Sequence, residues 1–195
     1  MVCFCSKIIL DESMRIGIDI DGVLTNVEEF EIDYGSKYLY ESGMFNKVIN
    51  NIDFKKEDLN IDENIGKEVW SKAIYDYIEI PPRNFAGEII KKLKEKGNII
   101  CIITNRSSNL SYCDITPERM KEIVIKWLKD NSIYYDELIF ANGDKTAFII
   151  TNKIDVMIED NPRNIQEISK LIPVICYNAR YNTEIIGNNI LRCYS

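Results

Sequence analysis

IGIDIDGVLTN, residues 16–26, decides how the chain is to be read. Ile16, Ile18 and Ile20 alternate along an apolar run that carries two aspartates, Asp19 and Asp21, before Gly22 and Thr25. Ionised carboxylates at the end of a buried strand cost free energy unless something compensates them. The stretch therefore predicts a first strand, residues 16–20, whose carboxyl end carries chemistry. Residues i and i+2 of a strand point the same way, which would place Asp19 and Asp21 in one site. Gly22 lets the chain turn and bring backbone amides towards an anion.

Outward from this strand the chain alternates. Residues 98–104 (NIICIIT), 137–141 (ELIFA), 154–159 (IDVMIE) and 172–177 (IPVICY) read as further strands, nearly all aliphatic. Helical patterns separate them. Residues 85–96 set Ile89, Ile90 and Leu93 on one face, with Gly97 as the stop. Met120, Ile123, Val124, Trp127 and Leu128 form one stripe behind Thr116 and Pro117, a cap and first turn. Two more helices are expected near residues 144–152 and after Asn161 and Pro162. Such alternation predicts an α/β fold, a Rossmann-like parallel sheet with helices on both faces.

Val27, Phe30, Tyr34 and Tyr38 recur at helical spacing, and so do Ile65, Val69, Ala73 and Tyr77. Residues 26–84 are thus expected to form a small helical cap inserted after the first strand. Residues 1–25 and 85–195 would make the core. Met14 opens a natural domain start, so residues 1–13 read as an extra edge segment or a tail.

Composition removes whole classes of function. A formal net charge of -7 repels phosphate polymers, so no nucleic acid partner is expected. No apolar run reaches the roughly 18 residues of a membrane span. Six cysteines without CxxC spacing and the absence of any histidine exclude common zinc sites and histidine-based nucleophile systems. Cys101 and Cys176 sit in aliphatic strands and are expected to be inert thiols, a usage that fits the cytoplasm. Acid–base chemistry falls to carboxylates, lysines, tyrosines or a metal ion.

Ligands of such sheets bind at the carboxyl ends of the strands. Asp19 and Asp21 end the first strand, Thr104, Asn105 and Arg106 the second, Lys145 follows the third, and Glu159 and Asp160 end the fourth. Three carboxylates in one place require a hard cation, and oxygen ligands point to magnesium. Thr104 can offer a hydroxyl and Lys145 a charge to a phosphoryl oxygen. Lys153 is a rival to Lys145, which is preferred because it opens a helix at the same rim. Asp144 reads as that helix's cap, and Arg106 and Arg163 as cations that could reach a substrate.

DIDGVLT, IITN, Lys145 and IEDN resemble the four motifs of the haloacid dehalogenase (HAD) superfamily of phosphatases, over residues 16–177. The short helical cap together with GIDIDGVLTN, TNR and IEDNPRN is most similar to the cytosolic 5'(3')-deoxyribonucleotidase type and its bacterial relatives. The resemblance implies Asp19 as the nucleophile that forms an aspartyl-phosphate, and Asp21 as general acid and then base. It implies magnesium held by the Asp19 carboxylate, the Asp21 backbone carbonyl and Asp160, with Glu159 behind them. Thr104, the Asn105 amide and Lys145 would grip the phosphoryl group.

The expected activity is hydrolysis of a small phosphomonoester, with a (deoxy)nucleoside monophosphate preferred. A sugar phosphate or other small phosphometabolite is the alternative, and a non-catalytic phosphate-binding or regulatory module the reading from another class. Residues 26–84 hold nine of the 20 aromatics, enough both to pack a cap and to stack a base. Phe30, Tyr34, Tyr38 and Tyr77 are expected to pack the cap, leaving Phe45 and Phe54 as the stacking candidates. The sequence leaves the oligomeric state open.

Overall fold

The computed structural model describes residues 13–44, 59, 61–108 and 110–194. The reading of residues 1–13 as an edge or tail lies outside these, Ser13 excepted, as do the stacking candidates Phe45 and Phe54. Among the described residues six parallel strands form one sheet: β1 (Arg15–Ile18), β2 (Ile99–Thr104), β3 (Glu137–Phe140), β4 (Val156–Glu159), β5 (Val174–Tyr177) and β6 (Ile190–Cys193). Their spatial order is β3-β2-β1-β4-β5-β6. The chain builds outward from β1 on one side and then returns to its other side with β4. The carboxyl ends of β1 and β4, where the order reverses, are the usual ligand site of a doubly wound sheet.

Helices α3 (Ala86–Glu95), α4 (Pro117–Asp130), α5 (Thr146–Thr151) and α6 (Pro162–Ile168) connect the strands. Alternate strand residues face opposite sides and so belong to different layers. Ile16, Ile18, Ile100, Ile102 and Val156 pack with Ile90 of α3 and with Met120, Val124 and Leu128 of α4. Cys101, Ile103, Met157 and Cys176 pack instead with Ile149 of α5 and with Ile165 and Ile168 of α6. Thr116 caps α4 by accepting from the Arg119 N–H at 3.2 Å, and Asn161 caps α6 in the same manner. The α/β fold read from the sequence is the fold observed.

Among the described residues, two further helices lie between β1 and α3 in sequence, α1 (Val27–Glu41) and α2 (Glu63–Tyr77). Their facing stripes meet in an aromatic cluster. The Phe30 ring centroid lies 5.6 Å from Tyr34, 6.2 Å from Trp70 and 5.1 Å from Tyr77. The end of α2 runs into the main core, where Ile74, Tyr77 and Ile78 are buried with the strand residues of β1 and β2.

β6 is absent from the sequence reading. Its four residues are all half-buried, as on an outer strand, and show no period-2 alternation that would flag them. The first strand is also shorter than expected. Pairing stops at Ile18, with one further ladder bond from the Asp19 N–H to the Ile158 carbonyl at 3.1 Å. Ile20 instead opens a wide turn, Ile20–Leu24, closed when the Thr25 N–H donates to the Ile20 carbonyl at 2.9 Å. Asp21 and Gly22 depart from helical geometry inside it, Gly22 at φ 80°.

Candidate active site

With that turn in place the two aspartate side chains take different partners, so the shared site expected from period-2 alternation is not what the side chains form. Asp19 is buried just past the end of β1. Its Oδ1 accepts from the Ile20 N–H at 2.7 Å, and its Oδ2 lies 2.8 Å from Lys145 Nζ. Lys145, 1% exposed, stands at the start of α5 and reaches Glu159 Oε2 at the same distance. Burial alone would lower the lysine pKa, but the charges of Asp19 and Glu159 outweigh it and hold the value raised. Lys153, the rival from sequence, is exposed.

Asp19, Glu159 and Asp160 each offer a carboxylate oxygen within 4.8 Å of the others. Burial, reinforced by Glu159, holds the Asp19 carboxyl well above the ordinary range. The same two causes push Asp160 up to about 8, against the opposing hydrogen bond from the Tyr181 hydroxyl to Asp160 Oδ2. Glu159 is already spoken for: besides Lys145 it accepts the N–H groups of Asp160 and Asn161 at 3.2 and 3.1 Å. Asn182, fully buried, donates to the Asp160 carbonyl at 2.7 Å and is itself held by Arg192 of β6 at 2.8 Å. The missed outer strand thus supports the acidic cluster from behind.

Gly22 closes against this cluster. A Cβ there would fall 1.8 Å from Asp160 Oδ2. Only a glycine permits both the positive φ and the approach of the two segments. Arg83 secures the turn, donating through Nη2 to the Gly22 carbonyl at 3.1 Å.

The Asp21 carboxylate belongs to a second group. Its Oδ1 accepts from Arg106 Nε at 2.8 Å and from the Tyr77 hydroxyl. Sequence periodicity assigned Tyr77 to packing alone. Its ring does pack, but a stripe cannot reveal where the hydroxyl at its end will reach. Arg106, grouped from sequence with Arg163, is buried whereas Arg163 is exposed. Tyr181 and Asn182 went unnoticed although they follow the carboxyl end of β5, the same rim that flagged the other site residues.

Thr104 is fully buried, and its hydroxyl accepts from the Arg106 N–H at 3.2 Å. The Asn105 side chain clasps the loop before Lys145, donating to the Gly143 carbonyl and accepting its N–H, each at 3.0 Å. A phosphoryl contact from Asn105 is therefore left to its backbone N–H. Asp144, expected to cap α5, stands one residue before the N-cap position, which Lys145 holds, and accepts from the Thr146 N–H and hydroxyl at 2.8 and 2.7 Å. Burial pushes the Cys101 thiol up to about 11, which leaves it unreactive.

Beside Asp21 opens a cavity of about 660 Å³ between α1, α2 and the loop after β2. Its walls are mainly apolar and aromatic, with Phe30, Tyr34, Trp70, Tyr77 and Tyr112 among them.

No family model matches the chain. A curated protein of Bacillus subtilis (strain 168), "Putative nucleotidase YqfW", is 31% identical over 188 residues, spanning 92% of this chain and 88% of that protein. A HAD family hydrolase of Deinococcus radiodurans R1, solved with bound phosphate and sodium, shares the fold at a TM-score of 0.60 and 11% identity, covering 93% of this chain and 91% of its own. The haloacid dehalogenase-like family hydrolase SP0104 of Streptococcus pneumoniae matches at 0.53 and 11% identity over 85% of both chains. The chain belongs to the HAD superfamily of phosphatases. In HAD terms the four strand-end motifs read from sequence stand at one rim of the sheet, those of β1 and β4 joined through Lys145. No helix among the described residues is long and apolar enough to cross a membrane.

Proposed function

We propose that the chain is a magnesium-dependent phosphomonoesterase that works through an aspartyl-phosphate at Asp19, and that its substrate is a (deoxy)nucleoside monophosphate. The observation that carries this reading is the buried Asp19, set between Lys145 and the acids of β4 and close to an aromatic-walled cavity. Residues 26–84 act as the cap that supplies two walls of that cavity, over a core of residues 1–25 and 85–195.

The donors fit magnesium. All are oxygens, and two carboxyls raised by burial and repulsion have lost the solvation that a cation would replace. Asp19, Asp160 and the Asp21 backbone carbonyl would hold the ion, with Glu159 fixed behind them by Lys145. Bound there, it would neutralise charge on the phosphoryl oxygens.

An Asp19 carboxylate oxygen attacks phosphorus, and the bond from phosphorus to the ester oxygen breaks. Asp21 gives its proton to that oxygen. A water then attacks the phosphorus of the aspartyl-phosphate and loses a proton to Asp21. Inorganic phosphate leaves and the Asp19 carboxylate is restored. Thr104, the Asn105 N–H and Lys145 hold the phosphoryl oxygens throughout.

The apolar, ring-lined wall suits a flat base better than a sugar. The relative named a nucleotidase supports the same choice. Free cysteines at 101, 113 and 176 suit a cytoplasmic enzyme. A panel of nucleoside monophosphates, sugar phosphates and an aryl phosphate, assayed for released phosphate with magnesium, tests the reading. Preference for nucleotides is expected. Turnover of sugar phosphates alone would overturn the substrate, and turnover of nothing would favour a binding module.

The metal can be checked without turnover. The folded pKa values of Asp19 and Asp160 lie above their unfolded ones. Their contribution to stability is therefore present below the ordinary carboxylate range near pH ~4 and is lost as pH rises through it towards about 8. A cation needs the ionised forms and relieves the repulsion. Magnesium should raise Tm by several degrees at about pH 8.5 and by clearly less at about pH 6. Equal shifts at both, measured by differential scanning fluorimetry, would count against this cluster as the metal site.

A further inference from the structure

Arg106 stands where the acidic end of the site meets the cavity. Its Nε donates to Asp21 Oδ1 at 2.8 Å, and its backbone N–H is held by Thr104. The guanidinium lies 5.0 Å from the centroid of the Tyr77 ring and 5.4 Å from that of Trp127. These contacts fix its plane. Its Nη1 and Nη2 are nevertheless buried without a hydrogen-bond partner among the described residues.

Buried donors left without acceptors are rare in folded proteins, and each asks for a cause. Orienting Asp21 needs only Nε. The side chain is 3% exposed and the residue lines the aromatic cavity, the side from which an acceptor would come.

We infer that Arg106 determines specificity: Nη1 and Nη2 donate to an uncharged oxygen or nitrogen acceptor on the leaving group, of the kind a nucleobase offers, while Nε holds Asp21. This rests on the phosphatase reading above. Charge argues that the acceptor is neutral. The cavity wall carries Asp62, and its Lys67 is already paired with Glu63 at 2.7 Å. A second phosphate or a carboxylate on the leaving group would meet a negative wall.

The test compares kcat/KM for thymidine monophosphate and for phenyl phosphate, whose leaving group has no acceptor beyond the ester oxygen, in wild type and Arg106→Lys. Lysine keeps a charge beside Asp21 but lacks the planar fork. The nucleotide value should fall at least about tenfold further than the phenyl phosphate value, with the excess in KM. Equal falls would overturn the inference and leave the phosphatase reading standing, since Arg106 would then only position Asp21. If wild type turns over neither ester, both fail together. Should the lysine variant not fold, wild type alone decides. It should prefer thymidine monophosphate over its difluorotoluene isostere, which keeps the shape and loses the acceptors, by at least about tenfold. Equal rates would overturn the inference.

Discussion

Replacing Asp19 by asparagine should abolish phosphate release, by at least about ten-thousandfold in kcat, while the chain stays folded. The amide is nearly the same shape and can still accept the Ile20 N–H that now reaches Oδ1. It cannot attack phosphorus as a carboxylate does. Lys145 keeps Glu159 as a partner, so the variant does not strand a buried cation. The change also removes one negative charge from a cluster whose members already repel, so the metal-free variant should melt no lower than wild type. Thermal melts and phosphate release on one preparation check both halves. Residual activity above about a hundredth of wild type would remove Asp19 as the nucleophile.

Lys145→Met should give the largest loss of stability. The lysine is buried between Asp19 and Glu159, 2.8 Å from each. Methionine fills much of the same volume and leaves two carboxylates buried without their counter-charge. Breaking a buried ion pair from one side costs about 3–5 kcal/mol. Urea unfolding should show a loss of that size, and Lys145→Arg should recover part of it. Phosphate release should fall as well, because the same ammonium faces the nucleophile. A loss under about 1 kcal/mol would mean that Lys145 is not the counter-charge of this cluster.

Much of this was readable before any coordinates. Periodic aliphatic strands and capped helices fixed the α/β architecture, since burial on both faces leaves little choice of residue type. The rim rule then picked out Asp19, Thr104, Lys145 and Asp160 from strand ends alone, and each stands at that rim. What stayed hidden depended on side-chain reach and backbone turns. The wide turn at Ile20–Leu24 separates the Asp21 side chain from that of Asp19, and no alternation pattern could show it. Tyr77 looked like core because most of it is core, and only the hydroxyl touches Asp21. Arg106 read only as a cation that could reach a substrate, and its burial against Asp21 left no mark in the sequence. The outer strand β6 is too short and too evenly half-buried to leave a pattern.

The central claim is that the phosphoryl group passes through Asp19. Turnover of a nucleoside monophosphate with magnesium, quenched in acid and followed by peptide mass mapping, tests it most directly. The account predicts one phosphoryl group on the peptide that contains Asp19, absent from Asp19→Asn. Rapid phosphate release with that peptide unmodified, or with the phosphoryl group on another residue, would contradict it.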